Sequence, residues 1–254
     1  MKILTLNTWQ ERGPWEARWE LIIDWIDNEK PDFIAFQELF NGEWAAAVRK
    51  RTGYGHLVSY PEPSGLVFLS QQPVVNSALV EMQAQSPTED YSRYALFSEF
   101  EFLGKPLTLL NTHLSWKLGE DDVRARQVDE LLSLVDRRHE GRLVFAMGDF
   151  NSPPEGAAIR KMVRQGSFKD AYAGLHPGEE GLTWSHRNPY TQIASTIDGA
   201  VDLPARRLDY IFVKEGAGRE IRAASVEVVL HEPDAAGVWP SDHFGLLATF
   251  EGLE

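Results

Sequence analysis

Asp242 and His243 stand side by side directly ahead of the apolar run Phe244–Phe250, and two adjacent titratable groups at that place are the first sign of chemistry in this chain. Five further polar clusters occupy comparable places, each where an apolar, strand-like run begins or ends. Thr5-Leu6-Asn7-Thr8-Trp9 closes the first run, Gln37-Glu38 follows Phe33–Phe36, and Asn111-Thr112-His113-Leu114 ends Leu107–Leu110. Gly148-Asp149-Phe150-Asn151 ends Leu143–Met147, and Arg207-Leu208-Asp209-Tyr210 opens Ile211–Val213. Layered folds collect their active sites at strand ends, where loops are exposed and the strands hold them rigidly. Carboxylate and amide oxygens dominate these clusters, the donor chemistry that suits a hard divalent cation, and the histidines add proton transfer.

Each cluster alone also has a structural reading. Glu38 sits where a first-turn carboxylate or N-cap would precede a helix over Asn41–Arg51, and Asn7 suits a turn. Asp149 and Asn151 have turn and capping chemistry, His113 is the kind of strand-end histidine that makes a structural hydrogen bond, and Asp209 has Arg206 and Arg207 as neighbours for an ion pair. The joint pattern separates the two readings. Turn chemistry does not require Asn, Glu, His, Asp-x-Asn, Asp and Asp-His in that order, each at a strand boundary.

The elements that must position these residues are legible from apolar periodicity. Strands are expected over Ile3–Asn7, Asp32–Gln37, Gly65–Leu69, Ala95–Phe102, Leu107–Thr112, Leu143–Gly148, Leu208–Val213, Ser225–Leu230 and Gly245–Phe250. Asp32-Phe33-Ile34-Ala35-Phe36 and Leu143-Val144-Phe145-Ala146-Met147 are apolar on both faces, the mark of a strand buried on both sides. Helical spacing marks Trp15–Asn28, with Pro31 as a stop, and Asp122–Arg138, with basic residues at its end. A third helix is expected over Glu155–Arg164, opened by Ser152-Pro153-Pro154 and capped by Gly166. The mixture predicts an α/β or α+β protein in which two sheets pack face to face with helices outside. No linker, repeat or low-complexity tract interrupts the chain, so residues 1–254 read as a single catalytic domain.

At these residues the sequence resembles the endonuclease/exonuclease/phosphatase superfamily, which includes apurinic endonucleases, deoxyribonuclease I, inositol polyphosphate 5-phosphatases, neutral sphingomyelinases and tyrosyl-DNA phosphodiesterase. The likeness runs from Thr5-Leu6-Asn7 to Ser241-Asp242-His243. It implies a four-layer α/β/β/α sandwich of two mixed sheets. It also implies roles: Glu38 as principal metal ligand with Asn7 and Asp242 close to the metal, and Asp149 orienting or deprotonating the attacking water. Asn151 would hold phosphate and Asp149, His243 would contact the phosphoryl oxygens with Asp209 as its carboxylate partner, and His113 would contact phosphate. Arg93 lies where several members place a site arginine, beside the alternative of a solvated surface Arg. The chemistry agrees, because phosphoester hydrolysis is mainly positioning plus neutralisation of charge on the phosphoryl oxygens. With no cysteine and no histidine pair at zinc-motif spacing, Mg²⁺ or Mn²⁺ is expected ahead of Zn²⁺.

Composition narrows the substrate. The 25 Lys and Arg against 38 Asp and Glu give a net charge of −13, which disfavours long nucleic acid without excluding a nuclease. Trp9, Trp116-Lys117, Trp184-Ser185-His186-Arg187 and Trp239 sit next to motifs and are candidates to line a pocket, with core packing as the alternative. Thr183-Trp184, Asn188-Pro189 and Arg207–Ile211 resemble sphingomyelinase-type members. Leu4–Trp9 and Thr196-Ile197-Asp198-Gly199 through Arg207–Phe212 resemble small sugar-phosphate phosphatases. A small soluble phosphate monoester or diester is the expected substrate, with a DNA or RNA nuclease and a sphingomyelinase-type phosphodiesterase as alternatives. A non-catalytic binding module and a paired-carboxylate glycosidase rank below these. No signal peptide or membrane-spanning run is seen, so a cytoplasmic monomer is expected, with a mature secreted form left open.

Overall fold

Apolar residues on both faces of a strand need cover on both sides, and the architecture follows from that demand. The computed structural model describes residues 1–138, 141–197, 203–216 and 221–252. In chain order the elements are β1 (Lys2–Asn7), α1 (Trp15–Glu29), β2 (Phe33–Gln37), α2 (Gly42–Thr52), β3 (His56–Tyr60), a turn of helix α3 (Pro61–Ser64), β4 (Leu66–Ser70), β5 (Val74–Glu81), β6 (Tyr94–Phe102) and β7 (Lys105–His113). They continue with α4 (Asp121–Arg138), β8 (Leu143–Asp149), α5 (Ala157–Arg164), β9 (Lys169–Asp170), α6 (Ala171–Leu175), α7 (Tyr190–Ile197), β10 (Asp209–Lys214), β11 (Arg222–Val229) and β12 (Gly245–Glu251). The strands form two mixed sheets, ordered β11-β12-β1-β2-β4-β3 and β5-β6-β7-β8-β10-β9.

Strand alternation divides the core into three layers. Ile3, Phe33, Ala35, Phe68, Leu109, Phe145, Met147, Ile211 and Leu246 point inward and fill the space between the sheets. Their neighbours Leu4, Leu6, Ile34 and Phe36 point outward and pack beneath Trp19, Ile22, Ile23 and Ile26 of α1 and Ala45 and Val48 of α2. Leu110, Val144, Ala146 and Phe212 do the same on the second sheet beneath Val128, Leu131 and Val135 of α4 and Ile159 and Met162 of α5. The result is the expected α/β/β/α sandwich.

Pairing direction then decides where the polar clusters go. β1 and β2 are parallel, with Asn7 opposite Gln37. β7 and β8 are parallel, with His113 opposite Asp149. β10 runs antiparallel to β8 and starts with Asp209 opposite Asp149, and β12 runs antiparallel to β1 with Thr5 opposite Leu246. The C-terminal ends of β1, β2, β7 and β8 therefore meet the N-terminal ends of β10 and β12 at one edge of the sandwich. Beneath that edge Gln37 Nε2 donates to Asn111 Oδ1 at 2.7 Å, and Asn111 Nδ2 donates to the Phe36 carbonyl at 2.9 Å, so a buried polar bridge ties the two sheets together.

The third helix differs from expectation. It begins at Ala157, with Gly156 at the N-cap, and Pro153-Pro154 belongs to the loop before it. Asp121 supplies the carboxylate that accepts from the Ala157 N–H at 3.0 Å, a cap from a distant element that periodicity does not reveal. Gly166 follows the helix as expected, but packing requires it, since a Cβ there would lie 2.4 Å from Leu132 Cδ2. Edge strands β3 and β5 were not expected; both are largely half-exposed, so their sequences lack the apolar saturation of the central strands. Asp198 and Gly199 of the sugar-phosphatase-like segment lie outside the described residues.

Candidate active site

The strand ends converge on a cleft of about 840 Å³ whose lining includes Asn7, Glu38, His113, Asp149, Asn151, Asp242 and His243. Asp149, nearly inaccessible, is at its centre. Its Oδ2 receives Asn7 Nδ2 at 3.1 Å and faces His113 Nε2 at 3.4 Å and His243 Nε2 at 3.7 Å, while its Oδ1 accepts the Asn151 N–H at 2.8 Å. Asn151 reaches that position with φ +48, and its side chain donates to the Leu114 carbonyl at 3.0 Å. The backbone is strained again at Glu38, with φ +60, where the chain turns sharply out of β2. Glu38 does not cap the following helix; Asn41 does, accepting the Trp44 N–H at 2.9 Å.

His243 Nδ1 donates to Asp209 Oδ2 at 2.9 Å, with both groups buried. Neither neighbouring arginine takes Asp209: Arg207 pairs with Asp170 at 2.9 Å. Burial by itself would lower the His243 pKa, but Asp209, Asp149 and Asp242 outweigh it and hold the imidazolium well above the ordinary histidine range. His113 goes the other way, neutral through burial and the nearby charges of Arg93 and His243. Burial pushes the Asp149 carboxyl up to about 7, with His243 opposing and Asp209 adding to the rise.

Glu38 and Asp242 form the second half of the site. Asn7 Nδ2 donates to Glu38 Oε1 at 3.3 Å, Ser241 Oγ contacts Asp242 Oδ1 at 3.3 Å and donates to the Asn7 carbonyl at 2.7 Å, and Asn7, Glu38 and Asp242 line the cleft. Burial raises the Asp242 carboxyl to about 6, and the negative charge of Glu38 adds to the rise against His243 and Arg18. Two carboxylates facing one cleft, with no thiolate near, fit a hard divalent cation, while Asn7 turns its Nδ2 toward Glu38 and its Oδ1 accepts the Trp9 N–H at 3.0 Å. Asp149, Asp209 and His243 also bring ligand atoms within 4.8 Å of one another, but the short His243–Asp209 bond already occupies Nδ1, which fits a proton relay better than a cage.

The weaker candidates divide. Arg93 is buried, against the alternative of a solvated arginine: its Nε donates to Glu89 at 2.7 Å, its NH2 to the Tyr91 hydroxyl at 3.2 Å, and it lines the cleft. Trp116 also lines the cleft, donating Nε1–H to the same hydroxyl at 2.6 Å. Trp9 is mostly core, sandwiched between Tyr190 and the guanidinium of Arg18, with only an edge in the cleft. Trp239 stacks on Phe244 away from the cleft, and Arg187 pairs with Glu232 at the surface. Periodicity missed Arg18, a fully buried side chain on α1 that donates to the carbonyls of Thr8, Trp9, Gln10, Arg12 and Pro240 and so locks the loops carrying Asn7 and Asp242. An arginine on the apolar face of an amphipathic helix was the available signal.

A carboxylate–histidine cleft at the strand ends of an α/β/β/α sandwich defines a metal-dependent phosphoesterase. The chain belongs to the endonuclease/exonuclease/phosphatase family, whose description matches residues 4–243. Protein angel of Drosophila melanogaster is 24% identical over 180 residues, 64% of this chain and 51% of that protein, so the chain spans about half the length of this curated relative. The fold is shared with D. rerio TDP2 complexed with single-strand DNA product (TM-score 0.78, 19% identity, 99% of this chain and 98% of that one). It is also shared with the human Nocturnin catalytic domain with bound sulfate (0.74, 20%, 99% and 94%) and Staphylococcus aureus beta toxin (0.77, 18%, 98% and 99%). No helix among the described residues is long and apolar enough to cross a membrane.

Two carboxyl pKa values raised by burial make the metal-free protein sensitive to pH. Asp149 and Asp242 favour the protonated form when folded, so their contribution to stability is complete below the ordinary value of 3.8 and is lost as pH rises through about 6 to 7. His243, also raised, acts in the same direction, and neutral His113 opposes it. The protein in EDTA is therefore expected to melt at a higher temperature at pH 5.5 than at pH 8, and added Mg²⁺ is expected to raise Tm more at pH 8, where the ligands are ionised. Differential scanning fluorimetry at the two pH values, with and without metal, checks both signs.

Proposed function

We propose that this chain hydrolyses a small phosphate monoester or diester, and that Glu38 and Asp242, with Asn7 close by, would hold Mg²⁺ or Mn²⁺. The observation that carries the reading is the line Asp209–His243–Asp149, a hydrogen bond of 2.9 Å followed by an ion pair of 3.7 Å, with Glu38 and Asp242 lining the same cleft. The cation, when bound, supplies positive charge against the phosphoryl oxygens. Asp149 accepts the proton of the attacking water, whose oxygen forms the new bond to phosphorus as the ester bond breaks. The departing oxygen takes its proton from solvent. His243, kept cationic by Asp209, donates from Nε2 to a non-bridging oxygen, and neutral His113 and the Asn151 amide complete the anion's surroundings. The whole 254-residue chain is read as one catalytic unit.

Small size of substrate is supported by the net charge of −13, which repels long polyanions, and by the aromatic side chains Tyr91, Trp116 and Trp184 in the cleft lining. The likeness to TDP2 complexed with single-strand DNA product favours, as a second reading, a nucleic acid end threaded into the same cleft. A panel of bis-p-nitrophenyl phosphate, p-nitrophenyl phosphate, sugar phosphates, single-stranded and plasmid DNA, and sphingomyelin, each in Mg²⁺, Mn²⁺ and EDTA, tests both. Turnover of small esters that stops in EDTA is expected. Cleavage confined to DNA would replace the first reading with the second, and turnover persisting in EDTA would overturn the metal assignment.

A further inference from the structure

Arg206 lines the cleft and takes no part in the groups just described. Arg206 stands three residues before Asp209, where the chain has not yet entered β10 and pairs with Trp184 instead. Its N–H donates to the Trp184 carbonyl at 2.8 Å, and its own carbonyl accepts the N–H groups of Trp184 at 2.9 Å and Thr183 at 3.1 Å, so the backbone is clamped. The guanidinium carbon lies 5.2 Å from the centroid of the Trp184 ring, a buried tryptophan, and both residues line the cleft. Its neighbour Arg207 is paired with Asp170. Arg206, among the described residues, has no ion-pair partner, and its buried Nε has no hydrogen-bond partner.

A planar guanidinium braced on an aromatic ring and lining a cleft is pre-organised for an oxyanion. The attraction of Asp149 reaches Arg206, which places its charge on the side of the catalytic floor. The floor itself is already furnished: His243, His113 and Asn151 surround Asp149. Arg206 leaves the chain three residues before Asp209, a backbone separation of up to roughly 10 Å at about 3.3 Å per extended residue. An anion meeting it while a phosphate sits on the floor is a different group of the same molecule.

We propose that Arg206, braced on Trp184, binds a second oxyanion of the substrate, a phosphate or carboxylate that is not the group being cleaved. The inference rests on the phosphoesterase reading above and deepens it: the preferred substrate is a phosphoester whose body carries another anionic group, such as a bisphosphorylated nucleoside or sugar.

The test uses a matched pair of esters, thymidine 5′-(p-nitrophenyl phosphate) with a free 3′-hydroxyl and the same ester with a 3′-phosphate. The wild type is expected to favour the 3′-phosphorylated ester by about tenfold to a hundredfold in kcat/KM, mostly through KM, as expected for a charge-assisted contact. Arg206→Gln is expected to erase at least tenfold of that ratio, and Arg206→Lys, which keeps the charge without the fork, to keep part of it. No preference in the wild type, or the same ratio in wild type and Arg206→Gln, overturns the proposal. Equal losses on both esters would also overturn it, by moving Arg206 to the scissile phosphate. If the wild type cleaves neither ester, the phosphoesterase assignment on these substrates fails, and calorimetric binding of thymidine 3′,5′-bisphosphate in EDTA still decides the question. Binding at least tenfold weaker in Arg206→Gln upholds the subsite, and equal affinity removes it.

Discussion

Asp149→Asn and His243→Ala are each expected to lower kcat by about 10²–10³ while leaving the protein folded, the usual cost of removing one positioned base or charge-stabilising donor. Asp149 combines a carboxyl kept largely from water with four polar neighbours that fix its orientation, and it faces the cleft rather than the core. His243 owes its charge to three carboxylates that together overcome burial. The pair also predicts the pH profile. Activity requires ionised Asp149, so it rises with pH on the acid side, with the limb at or below about 7, because a bound cation favours the carboxylate. Activity requires cationic His243, so it falls on the alkaline side, at a pH above the ordinary histidine range. Asp209→Asn removes the leading support for that charge, and its alkaline limb is expected to move to lower pH, a shift that a merely structural role would not produce. Stopped or continuous assays across pH 5 to 10, with circular dichroism to verify folding, check each outcome. An Asp149→Asn enzyme with near wild-type kcat would remove Asp149 as the base.

Gly148→Ala is expected to be the most destabilising small substitution near the site. Gly148 has φ +133 and lies across from Thr112 in the parallel β7–β8 pair. A Cβ there would fall 2.0 Å from the Thr112 carbonyl oxygen, which is backbone and cannot swing aside. Overpacking and backbone strain together cost about 3 to 5 kcal/mol. For a protein of this size that corresponds to a fall in Tm of roughly 6–20 °C. Because Thr112 and Gly148 directly precede His113 and Asp149, relief by spreading the strands would separate those two side chains, so kcat should fall as well. Gly104→Ala is the comparison: it also has positive φ, +72, but nothing lies within 4 Å of its Cβ. It is expected to cost only about 1 kcal/mol, with activity unaltered. Similar Tm changes for the two variants would show that the close approach at Gly148 is relieved at little cost.

Much of this protein is written in local patterns. Central strands such as Asp32–Gln37 and Leu143–Gly148 announce themselves because burial on both faces saturates them with apolar residues, and that demand by itself calls for two sheets with helices outside. The polar residues at their ends are conspicuous for the same reason: a carboxylate or histidine interrupting such a run needs an explanation, as at Glu38, Asp149 and Asp242-His243. Tertiary structure decided what pairing geometry alone can decide. The parallel β1–β2 and β7–β8 pairs and the antiparallel β10 and β12 bring the clusters to one edge, and no window of sequence contains the distance from Asn7 to Asp149. It chose His243 over the nearer arginines as the partner of Asp209, set Trp239 apart from the cleft, and buried Arg93 against Glu89. Arg18 and Arg206 gained their meaning in the same way. A long side chain takes its partners from whichever distant loops the fold brings near, as Arg18 does, or is left without one, as Arg206 is, and residue type records reach and charge but not destination.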